Sequence, residues 1–200
     1  TYAQCLPYTD KLDYVSSMNN NLAWCTAVEK LAGIRVPLRA EYLRVIAAEL
    51  NRIASHLVFI GTLLNDLGAA TAFIYAFRDR EKVLDLFDLL CGARMSTSYI
   101  RLGGVSYDAT DEFVKKTLEF LDYVPAMLEE YDNLITGNEI FYARMKGVSP
   151  MTAEEAKALS LSGANLRATG VAYDIRRVEP YSVYDRLDFE VPVGTLGDDW

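Results

Sequence analysis

The sequence is poor in the side chains that most enzymes use to bind metals or to build nucleophilic centres. It has one histidine, His56, and its three cysteines, Cys5, Cys25 and Cys91, lie far apart with no CxxC spacing. Zinc sites and redox dithiols need such side chains at close spacing. A metallohydrolase is therefore not expected, and the cysteine usage fits a reducing compartment.

The signatures of nucleotide, nucleic-acid and membrane binding are also missing. Neither GxGxxG nor the phosphate-binding GxxxxGK[ST] pattern occurs, so we do not expect this chain to bind a nucleotide. A net charge of −8 without a lysine or arginine block opposes binding to nucleic-acid phosphates. The longest apolar run, 57–64, falls well short of the ~20 residues that cross a bilayer.

The composition is that of a globular protein, with 51% hydrophobic and 24% charged residues. We predict a single domain over residues 1–200, with a helical core at about 8–160 and a loop and strand region at about 161–200. No signal pattern follows Thr1, and the strand-like run Leu187–Val193 comes just before the last residues. We expect both ends to be cut edges of a longer protein.

The strongest pattern is a long amphipathic helix over Pro37–Gly68, with proline at its start and glycine at its end. At 100° per residue, Phe59, Thr62 and Asp66 fall on one face. Asp66 lies in the last turn, where the helix dipole disfavours a carboxylate. Two roles fit it: a structural one, or proton exchange in a buried setting, since burial raises the pKa of a carboxyl group.

Apolar periodicity predicts helices on both sides of this one, and Gly103-Gly104 predicts a loop with a short strand. The helices cover about 10–31, 71–90, 112–135 with a bend at Pro125, and 138–145, and a further one starts at Thr152. From residue 161 onward we predict loop and strand. The expected fold is therefore mainly α.

Two further side chains are candidates for chemistry. His56 can act as a base, a metal ligand or a hydrogen-bonded core residue, and without a second ligand in the sequence we favour the core role. Tyr14 lies in the polar segment KLDYVSS. A phenol has a pKa of about 10, so it can donate a hydrogen bond to a carbonyl while staying uncharged. The residue type alone does not distinguish that role from packing.

Several segments, in order along the whole chain, resemble one family. They are LPYTDKLDYVSSMNNN, AVEKLAGIRVP, AELNRIASHLVFIGTLLNDLGA, FRDREK, GARM, RLGGV, SGANLRATG, YDIRR and YDRLDFEVPVG. Together they are similar to the D subunit of NADH-quinone oxidoreductase, the quinone-site subunit of respiratory complex I. The resemblance implies a helical bundle of the nickel-iron hydrogenase large-subunit type, with a small irregular β and loop region near the C-terminal end.

The resemblance also implies a quinone headgroup facing the terminal iron-sulfur cluster of a neighbouring B subunit. Tyr14 matches the family's tyrosine that hydrogen-bonds a quinone carbonyl, Asp66 matches the aspartate thought to exchange protons on reduction, and Thr62 lines the same cavity. Arg94 and Ser96 match positions near the cluster. The family's second quinone ligand is a histidine that lies outside this chain, so it is not His56.

A chain of this kind is expected to work only within an NADH:quinone oxidoreductase, a translocase on the cytoplasmic side of the plasma membrane. The implied partners are the B subunit, the C subunit and the membrane H subunit. NAD and the iron-sulfur clusters belong to other subunits, this chain holds no metal, and it is expected to be inactive alone. NADH, reduced ferredoxin and a deazaflavin all remain possible electron donors.

Two alternatives remain open. One is a hydrogenase-like large subunit of a membrane-bound complex, but where those relatives carry a nickel-binding CxxC this chain has Asp13 and Ser16, so half the thiolate ligands are missing. The other is a catalytically silent scaffold between other subunits.

One position departs from the family pattern. Most relatives have a histidine after GARM, and this chain has Ser96. Serine cannot couple cluster reduction to protonation as an imidazole can. We therefore expect a cluster of lower, less pH-dependent potential, suited to a low-potential quinone such as menaquinone.

Overall fold

A computed structural model describes residues 1–198, and helices dominate it. In chain order the elements are α1 (Leu6–Thr9, after a 3₁₀ turn at Ala3–Cys5), α2 (Ser17–Ala32), α3 (Leu38–Asp66), α4 (Ala70–Cys91), β1 (Ile100–Arg101), β2 (Gly104–Val105), α5 (Asp111–Tyr131), α6 (Glu139–Met145), α7 (Ala153–Ala158), α8 (Gly163–Ala168), α9 (Ile175–Val178) and a 3₁₀ turn at Tyr184–Arg186. The prediction of a mainly α fold is confirmed.

The chain divides into two compact units, Thr1–Glu130 and the residues from Tyr131 onward. The first unit holds α1 to α4, the β1–β2 hairpin and nearly all of α5, and the second holds α6 to α9. The predicted single domain stays a prediction. No helix within residues 1–198 is long and apolar enough to cross a membrane.

The long predicted helix is confirmed as α3, and it packs most extensively on α4. Only three residues join these helices, so they run antiparallel. Gly61 lies at a close approach between them, since a Cβ atom at that position would be 3.0 Å from the Cβ of Ala76. Gly68, just after α3, has a positive φ of 88°, which a glycine adopts without strain. Proline and glycine thus mark the two ends of α3 as predicted.

The predicted start of α2 at Asp10 is wrong, because the helix begins at Ser17 and residues 10–16 form turns. The carboxylates of two aspartates accept hydrogen bonds within or near this non-helical segment. The Asp10 carboxylate accepts hydrogen bonds from the side chains of Asn21 and Ser98, and Asp13 Oδ1 accepts from the backbone N–H of Val15. The predicted end is confirmed: the helix stops at Ala32, and the next residue, Gly33, has a left-handed backbone.

The later helices follow their local signals. α5 continues through Pro125 and is followed by a π turn, Asp132–Thr136, so helical backbone ends at Thr136 as predicted. The side chain of Asn138 caps α6. Thr152 and Glu155 form a reciprocal capping box at the start of α7.

The predicted strand at the C-terminal end is wrong. Leu187–Val193 has no strand partner within residues 1–198, and short helices occupy part of 161–198 instead. The two-stranded sheet lies earlier, where Ile100 pairs with Val105 in the predicted glycine loop. Alternating residues define a strand only where a neighbouring strand accepts its hydrogen bonds, and the described tail offers none.

Candidate functional site

Tyr14 lies in a tight turn, Asp13–Ser16, that leads into α2. The carbonyl of Asp13 accepts the N–H of Ser16 at 3.0 Å, and its carboxylate accepts the N–H of Val15 at 3.2 Å. The Tyr14 side chain is 66% exposed, and its hydroxyl makes no hydrogen bond within residues 1–198. The phenol is therefore available to a ligand on a backbone that is already ordered.

The Tyr14 turn is attached to α3 through Asn51, which is 4% exposed. The Asn51 side chain accepts a hydrogen bond from the N–H of Met18 at 3.0 Å and donates one to the carbonyl of Val15 at 3.2 Å. Asn19 adds a second attachment, because its side chain donates to the carbonyl of Ala48 at 3.2 Å. Sequence reasoning missed Asn51, since an asparagine within a helix gives no signal of a distant backbone partner.

A buried polar cluster lies just before the turn and was also missed. Asp10, 2% exposed, accepts hydrogen bonds from Asn21 Nδ2 at 2.6 Å and Ser98 Oγ at 2.9 Å. The Thr9 hydroxyl lies 2.7 Å from Asn21 Oδ1. This cluster ties the segment before Tyr14 to the segment that contains Ser96.

Phe59, Thr62 and Asp66 share one face of α3 as predicted, and that face is exposed. Phe59 is 61% exposed, and the Thr62 hydroxyl donates to the carbonyl of Val58 at 2.8 Å. Asp66 is exposed too, so the described chain does not supply the buried setting considered for proton exchange. The favoured core role of His56 is wrong, because His56 is exposed near this face, about 60° around the helix from Phe59.

The other predicted quinone residues, Thr62 and Asp66, lie on α3 beyond Asn51, toward the C-terminal end of the helix. At 1.5 Å per residue, Thr62 lies about 16 Å and Asp66 about 22 Å along α3 from Asn51, where the Tyr14 turn is attached. No hydrogen bond within residues 1–198 joins Tyr14 to either of them. The predicted site therefore draws on two elements, the Tyr14 turn before α2 and the C-terminal end of α3.

Arg94 and Ser96 lie between α4 and β1. Arg94 is ion-paired with Glu81 and, at 2.9 Å, with Asp85, both on α4. Hydrogen bonds to Glu81 and then Asp85 raise the pKa of Arg94. Ser96 is exposed and has a left-handed backbone with φ of 51°. Arg94 is thus held against its own chain, whereas Ser96 faces outward.

The part of the chain that the structure describes contains no group of three or more His, Cys, Asp and Glu side chains able to hold a metal ion. Cys25 is fully buried, and burial raises the pKa of its thiol to about 11. Its Sγ lies 3.8 Å from the carbonyl of Ile100. This cysteine packs in the core, where α2 lies against β1.

Residues 66–200 match the family described as respiratory-chain NADH dehydrogenase, 49 Kd subunit. Proteins named as the D subunit of NADH-quinone oxidoreductase, from Bacillus anthracis and Bacillus mycoides (strain KBAB4), are each 55% identical over 199 residues. Another with this name, from Desulforamulus reducens, is 56% identical over 198 residues. The alignments cover 99% or more of this chain but 54% of each relative, so the chain spans about half the length of the curated relatives it matches.

Proposed function

Because the chain belongs to the family of the 49 kDa subunit of respiratory-chain NADH dehydrogenase, we propose that it binds the headgroup of a quinone in a complex I-like oxidoreductase. Electrons reach the quinone from an iron-sulfur cluster held by a neighbouring subunit. The quinone and the cluster supply the redox chemistry, and the residues of this chain orient the quinone and supply protons.

The Tyr14 turn is the observation that carries this proposal. Its phenol is 66% exposed and makes no hydrogen bond within residues 1–198, while the backbone beneath it is bonded to α3. Because the backbone that carries the phenol is already ordered, binding a carbonyl costs only the side-chain entropy of Tyr14. Reduction puts negative charge on that oxygen, so the same hydrogen bond becomes charge-assisted and stronger. Tyr14 thus favours the reduced quinone over the oxidised one.

We propose that protons are supplied at the C-terminal end of α3. We propose that the Asp66 carboxyl group takes part in proton transfer during quinone reduction, and Thr62 lies one turn before it on the same exposed face. We propose that the proton passes between Asp66 and the quinone through intermediate groups or water. The second quinone ligand, a histidine, belongs to a part of the full-length protein outside these residues.

We propose that Arg94 and Ser96 lie on the side of the neighbouring iron-sulfur cluster. Serine does not titrate near neutral pH, so the cluster potential should be low and only weakly dependent on pH, as suits menaquinone. A redox titration of the assembled complex between pH 6 and pH 8 tests this, and a steep pH dependence would contradict it.

The proposed complex also contains the C and membrane H subunits beside the cluster-bearing B subunit, lies peripherally on the cytoplasmic side of the membrane, and couples electron transfer to proton translocation. NADH, reduced ferredoxin or a deazaflavin would deliver electrons through other subunits. Measuring oxidation of each donor by the purified complex distinguishes them.

The decisive experiment replaces Tyr14 by Phe in the assembled complex. The phenol has no partner within residues 1–198, so assembly should be unchanged, while kcat/KM for quinone should fall about 10- to 100-fold, as expected for loss of a charge-assisted hydrogen bond. Tyr107→Phe is the matched control, since Tyr107 is 67% exposed. Asp66→Asn should also lower turnover strongly.

Unchanged quinone turnover in Tyr14→Phe would refute the proposed role. Two further measurements address the alternatives. One nickel atom per full-length chain would favour a hydrogenase-like protein. Failure of a quinone analogue to protect the Tyr14 and Asp66 region from labelling in the assembled complex would favour a silent scaffold.

A further inference from the structure

We infer that Asn51 is a positioning residue for Tyr14: its side chain caps α2 from the neighbouring helix α3 and so holds the Tyr14 turn in its quinone-binding geometry. The inference rests on the proposed function for the role of Tyr14. It assigns a residue that neither the sequence pattern nor the family resemblance singled out.

The N-terminus of α2 lacks the usual cap. The first N–H groups of a helix have no intrahelical partner, and a serine at the N-cap normally accepts a bond from one of them. Ser16 is the N-cap of α2 but makes no such bond; its hydroxyl accepts instead from the side chain of Asn19 at 3.1 Å. The N–H of Met18, the second residue of α2, donates a hydrogen bond to Asn51 Oδ1 at 3.0 Å. α3 therefore supplies the cap.

The other end of the same amide holds the turn itself. Asn51 Nδ2 donates to the carbonyl of Val15 at 3.2 Å, so one side chain bonds the backbone on both sides of the N-cap residue. An uncharged planar amide offers an acceptor and a donor together, which an ionised carboxylate or an alkyl group of similar size does not. Asn51 is 4% exposed, so water does not readily replace either bond.

These two bonds fix the direction in which Tyr14 leaves the backbone. Tyr14 directly precedes Val15, and Asp13 on its other side is held by the Asn20 side chain, which donates to the Asp13 carbonyl at 3.1 Å. The turn is thus bonded before and after Tyr14. Because Asn51 belongs to α3, it also sets the position of Tyr14 relative to Thr62 and Asp66 farther along that helix.

The test uses the assembled complex with Asn51→Asp and Asn51→Leu, each alone and combined with Tyr14→Phe. Asn51→Asp keeps an acceptor for the Met18 N–H, so α2 keeps its cap and the chain should assemble, but the donor to Val15 is lost. Asn51→Leu removes both bonds at similar volume. Asn133→Asp makes the same chemical change at an exposed position of the second unit and is the control.

Activity is measured per assembled complex, with quinone and with an artificial acceptor that takes electrons before the quinone. We expect KM for quinone to rise about 5-fold in Asn51→Asp, equivalent to loss of one net hydrogen bond, and further in Asn51→Leu, with acceptor reduction unchanged. In the Tyr14→Phe background, Asn51→Asp should raise KM for quinone by less than about 2-fold, because the hydroxyl that Asn51 positions is gone. A merely structural residue would instead lower both activities together and add fully to Tyr14→Phe.

The outcomes separate this inference from the function on which it rests. If Tyr14→Phe lowers quinone turnover but Asn51→Asp leaves KM unchanged, or raises it equally in the presence and absence of the Tyr14 hydroxyl, the positioning role is wrong and the proposed function stands. If Tyr14→Phe itself leaves quinone turnover unchanged, both the positioning role of Asn51 and the proposed role of Tyr14 are wrong. Should Asn51→Leu fail to assemble, the Asn51→Asp result decides.

Discussion

Replacing Arg44 by Met should destabilise the first unit more than any surface change on the same helix. Arg44 is 1% exposed and binds Glu29 through two nitrogens, at 2.9 Å and 2.6 Å. It also donates to the carbonyls of Gly104, at 3.1 Å, and Arg101, at 2.7 Å. Glu29 in turn accepts the N–H of Gly103 at 2.7 Å. One buried ion pair thus joins α2, α3 and the β1–β2 hairpin.

The loss of stability in Arg44→Met follows from the polar groups that lose their partner. Met fills much of the volume but leaves the Glu29 carboxylate 6% exposed and without its cation, together with two carbonyls that lose their donor. Removing one partner of a buried pair costs about 3–5 kcal/mol. The free energy of unfolding of a domain is only about 5–15 kcal/mol, so the first unit should lose a large part of its stability.

Urea unfolding of the chain, followed by circular dichroism, measures this cost. Arg39→Met is the matched control, because Arg39 is also on α3 and pairs with Asp108 at 2.8 Å, but the two side chains are 69% and 63% exposed. Exposed pairs contribute about 0–1 kcal/mol. Adding Glu29→Gln to Arg44→Met should recover part of the loss, since it removes the uncompensated charge. An Arg44→Met chain as stable as Arg39→Met would refute the reasoning.

Three further predictions address the cysteines, the second unit and pH. Burial raises the pKa of Cys25 to about 11, so about 0.1% is thiolate at pH 8; mass spectrometry should show Cys5 reacting with a disulfide reagent well before Cys25, and equal rates would contradict this. A hydrogen bond from Arg176 lowers the pKa of Asp174 to about 2, so its stabilisation, about 2 kcal/mol, is present above pH 4 and is lost as pH falls through 2. The cost of Asp174→Asn in thermal unfolding should shrink accordingly, and a cost independent of pH would exclude this cause. Thr152→Ala removes the α7 capping box and should cost about 1 kcal/mol, seen as faster amide hydrogen exchange in 153–158, whereas Thr152→Ser should retain protection.

The helix boundaries that were predicted correctly depend on short-range signals. Pro37, Gly33 and the Thr152 capping box act on backbone within a few residues of themselves, so their effect can be read directly from the chain. The start of α2 was misplaced for the opposite reason. Asp10 has the character of an N-cap, but its carboxylate is used by Ser98, 88 residues away.

The exposed face of α3 shows why burial was harder to predict. Apolar residues occur on both sides of the helix, and Ile46 and Phe59 are 40% and 61% exposed although the pattern permits either to be buried. Periodicity identifies a helix, but which face is covered depends on the neighbouring elements. His56 was therefore assigned to the core and lies outside it.

By itself the sequence determined the mainly α fold, the limits of α3 and the family, because these rest on local chemistry and on many matching segments. Only the tertiary structure decided that Asn51 caps a helix beginning 34 residues earlier and that Arg44 joins three elements. Those relations depend on side chains that folding brings together from distant parts of the chain. The sequence named the candidate residues, and packing decided which side chains hold Tyr14 in place.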